Sequence, residues 1–169
     1  DVEFVRRTDP GIERIPASSV GAPADFDGAS SELLDVADLD ALTRFYRDVL
    51  LLDVLAQRPS EVDLGRGAET LVTLRHRPDL PKGERRTAGL FHTALLHTDR
   101  ASLAVTLASV AIQTPQLYTG SGDHLVSQAF YLDDPEGNGV ELYWDRDETA
   151  ISESSAKYGG YCYQIAFRI

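Results

Sequence analysis

The chain has 169 residues, 43% of them hydrophobic, which suits one compact domain or two small repeats with a real core. A formal net charge of −11 argues against a nucleic-acid partner, because phosphate binding needs clustered Lys and Arg. No run approaches the roughly 20 apolar residues of a membrane span, no secretory leader is visible, and the single Cys162 leaves no internal disulfide, so the expectation is a cytoplasmic protein with no membrane partner.

Residues 1–30 are rich in Pro, Gly, Ser and Asp and predict an irregular lead-in, with "VEFVRR" as a short strand. "ELLDV" then predicts a strand. Asp38 stands at a helix N-cap position, and Leu39, Leu42, Phe45, Tyr46 and Val49 recur at helical spacing, which predicts a helix near 39–50. "LDVLA", "SEVDL" and "ETLVTLRH" follow as strands, divided by Pro59, Gly65 and Gly67. A linker, "RPDLPKGERRTAG", closes this unit.

The order then begins again. "LFHTALLHT" alternates as a strand does, Asp99 is a second N-cap, and "RASLAVTLASVAI" predicts a helix near 100–111. "HLVSQAFYL" and "NGVELYWD" are two further strands joined by the turn "DDPEGNG". The two caps lie 61 positions apart, so the chain reads as a tandem repeat. Neither unit buries its sheet alone, so the two should pair. The terminal "YGGYCYQIAFRI" is apolar and β-prone. It reads as an added edge strand or a dimer contact, and a homodimer is expected.

Glu141 is the residue that most needs a reason. It stands inside Val-Glu-Leu-Tyr-Trp, and burying a lone carboxylate costs several kcal/mol. Strand alternation puts Glu141 and Tyr143 on one face, opposite Val140, Leu142 and Trp144. It likewise puts His92, Ala94 and Leu96 together, opposite Thr93, Leu95 and His97. Glu141 is therefore expected toward a polar interior rather than the core. His124, just ahead of a strand, could bind an acidic substrate, shuttle a proton or complete a metal set, or be a loop histidine tied to Asp123. Tyr131 and Tyr143 could line an aromatic pocket, though strand aromatics are usually core. His97 and His76 read as structural or surface groups. "DPEGNG" is too short for an EF-hand loop and reads as a turn.

"DVADLDALTRFYRDVLLLDVL", "AGLFHTALL" and "GDHLVSQAFYLDDPEGNGVELYWDR" resemble the vicinal-oxygen-chelate superfamily of glyoxalases, drug-sequestering resistance proteins and extradiol dioxygenases. The likeness is strongest to the amino-terminal half of catechol-2,3-dioxygenase-like proteins. It covers roughly residues 30–146. The resemblance implies an α+β fold of two βαβββ modules, residues 31–76 and 90–146, forming a curved mixed sheet around a cavity. Residues 1–30 and 147–169 would flank it. Carried over by position, the resemblance makes His92 and Glu141 metal ligands and puts His124 near the cavity; His124 and Tyr143 are the candidate catalytic or substrate-binding residues. Ser31, 61 positions before His92, falls where the first module would carry its own ligand, and leaves that position vacant. A facial triad needs two imidazoles, so His124 or Glu32 would have to substitute, Glu32 through a one-residue slip of its strand. Leu51 stands where the family has glycine, so the first helix must end differently.

Three readings follow. One is a divalent-metal enzyme resembling extradiol dioxygenases, using Fe(II) or Mn(II) on a small aromatic molecule. Another is a metal-free protein that binds or sequesters such a molecule. The third is a non-catalytic domain of a larger dioxygenase.

Overall fold

The computed structural model describes residues 3–8, 11–16, 31–79, 92–124, 127–146 and 165–168. The 80–89 part of the linker, the next two residues and Cys162 lie outside them.

The first module runs β3 (Glu32–Val36), α1 (Leu39–Arg44), β4 (Asp53–Arg58), β5 (Glu61–Arg66) and β6 (Glu69–His76). The second runs β7 (Thr93–Leu96), α2 (Arg100–Gln113), β8 (Tyr118–Asp123), β9 (Ser127–Asp133) and β10 (Gly139–Asp145). Each module has the same strand order: its first strand lies parallel to its last, and the remaining strands follow antiparallel. The repeat is also in register. Glu32 opens β3 as Thr93 opens β7, so Ser31 and His92 occupy equivalent places just before their strands. This is the α+β architecture of two βαβββ modules.

Both helices start at an aspartate cap. The Asp38 carboxylate accepts from Ala41 N at 2.9 Å and that of Asp99 from Ser102 N at 2.7 Å. Apolar alternation then builds one core across both modules. Leu34, Val36 and Leu74 from the first join Leu95, Val140 and Leu142 from the second. Full burial of each such side chain stabilises by about 1.5–3 kcal/mol. The helices meet where Ser109 Oγ and Gln113 Nε2 donate to the Asp48 carbonyl.

The helix predicted over 39–50 is present but changes pitch. α1 gives way to a π-helical turn, Phe45–Val49, closed by Leu50 N on the Phe45 carbonyl at 3.0 Å and Leu52 N on the Tyr46 carbonyl at 3.0 Å. Leu51 then takes φ 63°, the left-handed conformation usually left to glycine. The helix therefore ends through the usual backbone geometry with a leucine in it.

Three expectations need correction. The lead-in is not wholly irregular: β1 (Glu3–Thr8) and β2 (Gly11–Pro16) pair as an antiparallel hairpin. Residues 17–30 lie outside the described residues. β8, "YTGSGD", was not visible as a strand, because it carries no apolar alternation. The terminal strand β11 (Ile165–Arg168) is not at an edge. It lies between β1 and β7, in a sheet ordered β2-β1-β11-β7-β10-β9-β8. That position removes it as an edge for dimer pairing. Among the described residues, no helix is long and apolar enough to cross a membrane.

Candidate functional site

The alternation of β7, β9 and β10 divides the second sheet into two faces. One joins the shared core through Leu95, Phe130, Leu132, Val140, Leu142 and Trp144, and Arg100 lies over the Trp144 ring at 5.7 Å. The other carries Ala94, Leu96, Ala129, Tyr131 and Tyr143. His92 and Glu141 belong to this second face. Glu141 is nevertheless buried, 1% exposed.

Its carboxylate is satisfied by the sheet around it. His92 Nε2 lies 2.8 Å from Glu141 Oε2. The Tyr131 hydroxyl, from the residue directly opposite Glu141 in the β9–β10 register, donates to Oε1 at 3.0 Å. The same hydroxyl lies 2.6 Å from His124 Nε2. An ionised carboxylate only accepts, and a phenol has one proton. With that hydrogen directed at Glu141, the His124 bond requires a hydrogen on His124 Nε2, and His92 Nε2 likewise donates. The result is a continuous hydrogen-bonded chain, His92–Glu141–Tyr131–His124, from the buried carboxylate to an exposed imidazole. A buried carboxylate without partners is costly, and these two groups satisfy both of its oxygens.

The loop that presents His124 is tied down. Asp123, the last residue of β8, pairs with Arg146 just after β10, 2.6 Å away. His124 N donates to the Ser127 carbonyl at 3.0 Å.

Glu32 does not supply a third ligand by slipping. β3 pairs with β6 without a break from Glu32↔Val72 to Val36↔His76. Glu32 thus keeps the face of the core residues Leu34 and Val36. Burial raises its pKa, opposed by the Thr93 hydroxyl and the charge of His92. Ser31 has neither imidazole nor carboxylate. Thr73, the first-module counterpart of Glu141 by strand pairing, donates to Asp63 at 2.9 Å. Among the described residues no three His, Cys, Asp or Glu side chains form a metal-holding group. His92 and Glu141 are the right donor types for a divalent ion and converge on one point. A facial triad would need one further donor beside them.

His97 is buried, and burial together with Arg66 holds its pKa down to about 4, against the opposing charge of Asp99. It is a neutral structural histidine. His76 is half-buried, and its backbone N–H donates to Ser60. Tyr143 lines the apolar part of the site face. Tyr131 joins the polar groups through its hydroxyl. The available sign was its place opposite Glu141 on the neighbouring strand, two side-chain alternations from Ala129.

No family profile matches the chain. A curated relative, catechol-2,3-dioxygenase of Bacillus subtilis (strain 168), is 38% identical over 117 residues, 67% of this chain. The match covers only 40% of that relative's own length. Among solved structures, a lactoylglutathione lyase from Agrobacterium tumefaciens superposes with a TM-score of 0.52 at 26% identity, covering 68% of this chain and 90% of that one. A glyoxalase/dioxygenase from Nostoc punctiforme gives a TM-score of 0.57 at 19% identity, covering 76% of this chain and 98% of that one. The chain belongs to the glyoxalase/dioxygenase superfamily and has the vicinal-oxygen-chelate fold.

Proposed function

We propose that this chain binds a small hydroxylated aromatic molecule against the face carrying His92, Glu141, Tyr131 and His124, and acts on it as a divalent-metal-assisted enzyme of the extradiol dioxygenase type. The observation that supports this reading is the four-membered chain of hydrogen bonds. It links the two candidate ligands, His92 and Glu141, to a phenol and an imidazole able to move a proton. Ala94, Leu96, Ala129 and Tyr143 offer an apolar wall beside these groups, the usual composition of a small-molecule site. The metal implied by the superfamily, Fe(II) or Mn(II), would be held by His92 and Glu141 and would supply Lewis acidity toward adjacent substrate oxygens. From the other His124 tautomer, with its hydrogen on Nδ1, Tyr131 would take a proton from a bound hydroxyl while passing its own to His124 Nε2, and His124 would release the Nδ1 hydrogen to solvent.

A second reading is favoured by Ser31 and Thr73. With these residues at the first-module positions, the face would bind its ligand without a metal, and His92 and Glu141 would be polar anchors. The relative's greater length supports a further form of the proposal, in which the remaining donor comes from protein beyond this chain. A cytoplasmic location and a homodimer belong to the same proposal. The dimer would have to form through a surface other than β11.

The test is calorimetric titration with catechol before and after treatment with EDTA, alongside elemental analysis of protein purified without chelator. The metal-assisted reading expects Fe or Mn in the protein and weaker catechol binding after EDTA. Equal binding in both conditions favours the metal-free reading. No catechol binding in either, even with Mn(II) added, contradicts both.

A further inference from the structure

The two helices begin with the same aspartate cap but complete it differently. In α2, Ser102 at the third helical position returns the bond, its Oγ lying 3.4 Å from Asp99 N, so the capping box is closed within the helix. In α1 the third position is Ala41, which has no atom to return. The missing acceptor comes from the other module. Glu136 Oε1 accepts from Asp38 N at 2.7 Å and its Oε2 from Ala37 N at 3.1 Å. A carboxylate is also the charge favoured at a helix start.

Glu136 belongs to the turn between β9 and β10, the strands that carry Tyr131 and Glu141. That turn is built stiffly. The carboxylate of Asp134, 1% exposed, accepts from Glu136 N at 2.9 Å, Asn138 N at 2.9 Å and Asn138 Nδ2 at 2.8 Å. The Asp134 N–H donates to the Asn138 carbonyl at 2.8 Å, and Gly137 takes φ 91°. At the opposite end of the hairpin, Arg146 holds Asp123. The hairpin is therefore fixed at both ends, and the anchor at its turn is the first module.

We propose that Glu136 is a positioning residue for the site. By completing the cap of α1 across the module boundary, it sets where the β9–β10 hairpin places Tyr131 and Glu141 relative to His92 and His124. The proposal rests on the reading of the site given above only for its functional consequence, since the geometry it concerns can be measured without metal or substrate.

The test compares Glu136→Ala with Asp38→Ala, each labelled with 15N histidine and free of metal. Both variants weaken the α1 cap, but only Glu136→Ala removes the tether to the hairpin. The expected result is a lower Tm in both, with the imidazole signals of His92 and His124 displaced only in Glu136→Ala. Mn(II) affinity should fall roughly tenfold in Glu136→Ala, as for other residues that orient a ligand from outside the coordination sphere. Imidazole signals that move equally in both variants, or in neither, overturn the proposal and leave Glu136 as a helix cap. If Glu136→Ala does not fold, Glu136→Gln, which retains one acceptor oxygen, should show a smaller displacement in the same direction; unchanged signals there overturn it equally. If the wild type binds no Mn(II), the metal reading fails and the imidazole spectra still decide the role of Glu136.

Discussion

The Glu141 carboxylate shares itself between two partners, His92 Nε2 at 2.8 Å and the Tyr131 hydroxyl at 3.0 Å, while lying 1% exposed. It is a buried charge satisfied through both oxygens. Removing it should strand two donors and open a cavity. Glu141→Ala is expected to cost about 3 kcal/mol in a urea titration. Glu141→Gln, whose amide accepts through one atom only, should cost about 1–2 kcal/mol. A midpoint unchanged in Glu141→Ala would mean that the carboxylate is not held as described.

Among the described residues, Tyr131 links His124 to Glu141, its hydroxyl meeting both. The stability coupling between His124→Ala and Glu141→Gln, measured by a double-mutant cycle, should be about 0.5–1 kcal/mol. It should vanish when the cycle is repeated in a Tyr131→Phe background. Coupling that survives the loss of the hydroxyl would show a route between the two residues that bypasses the phenol.

Leu51 holds φ 63° at the end of the first helix. A side chain in that conformation costs about 1–2 kcal/mol, and glycine there loses some of the gain to its freer unfolded chain. Leu51→Gly should therefore stabilise by roughly 0.5–1 kcal/mol, read as a raised Tm. A lower Tm would show that packing of the leucine side chain outweighs the backbone cost.

His97 gives the fold a defined acid sensitivity. Its pKa falls from an ordinary 6.5 to about 4 in the folded chain, first through burial and then through Arg66. Between those values the unfolded chain binds the proton and the folded chain does not. Stability is therefore lost as pH falls from 6.5 toward 4, by roughly 3 kcal/mol once the loss is complete. Glu32 and Asp134 act in the opposite sense, because burial raises their pKa values and the folded chain holds their protons more tightly. The measurement is thus the difference between wild type and His97→Gln across this pH range. The variant should lose less stability on acidification; parallel curves would contradict the assignment.

Much of the fold was legible because apolar spacing and caps recur 61 positions apart. Asp38 and Asp99 are caps, and the strands beginning at Glu32 and Thr93 follow from that register. What stayed hidden had no apolar period. β8 is glycine and serine in character, and β11 looks like an edge from its composition, although its neighbours β1 and β7 come from distant parts of the chain. In the site, the resemblance singled out His92 and Glu141, alternation gave their faces, and their meeting follows from the parallel pairing of β7 with β10. The bond from His124 to Tyr131 was not readable, because it depends on where the end of β8 places His124 beside β9. Glu136 was hidden for a similar reason: its partners, Ala37 and Asp38, lie 99 and 98 residues away in the chain.

The most direct test of the site is titration of Mn(II) into wild type, His92→Ala and Ser31→His, followed by electron paramagnetic resonance of the free ion. The account expects one weak site in wild type, loss of that site in His92→Ala, and tighter binding in Ser31→His, where an added imidazole replaces bound water. Binding by His92→Ala equal to that of wild type, or no binding by any of the three, would contradict it.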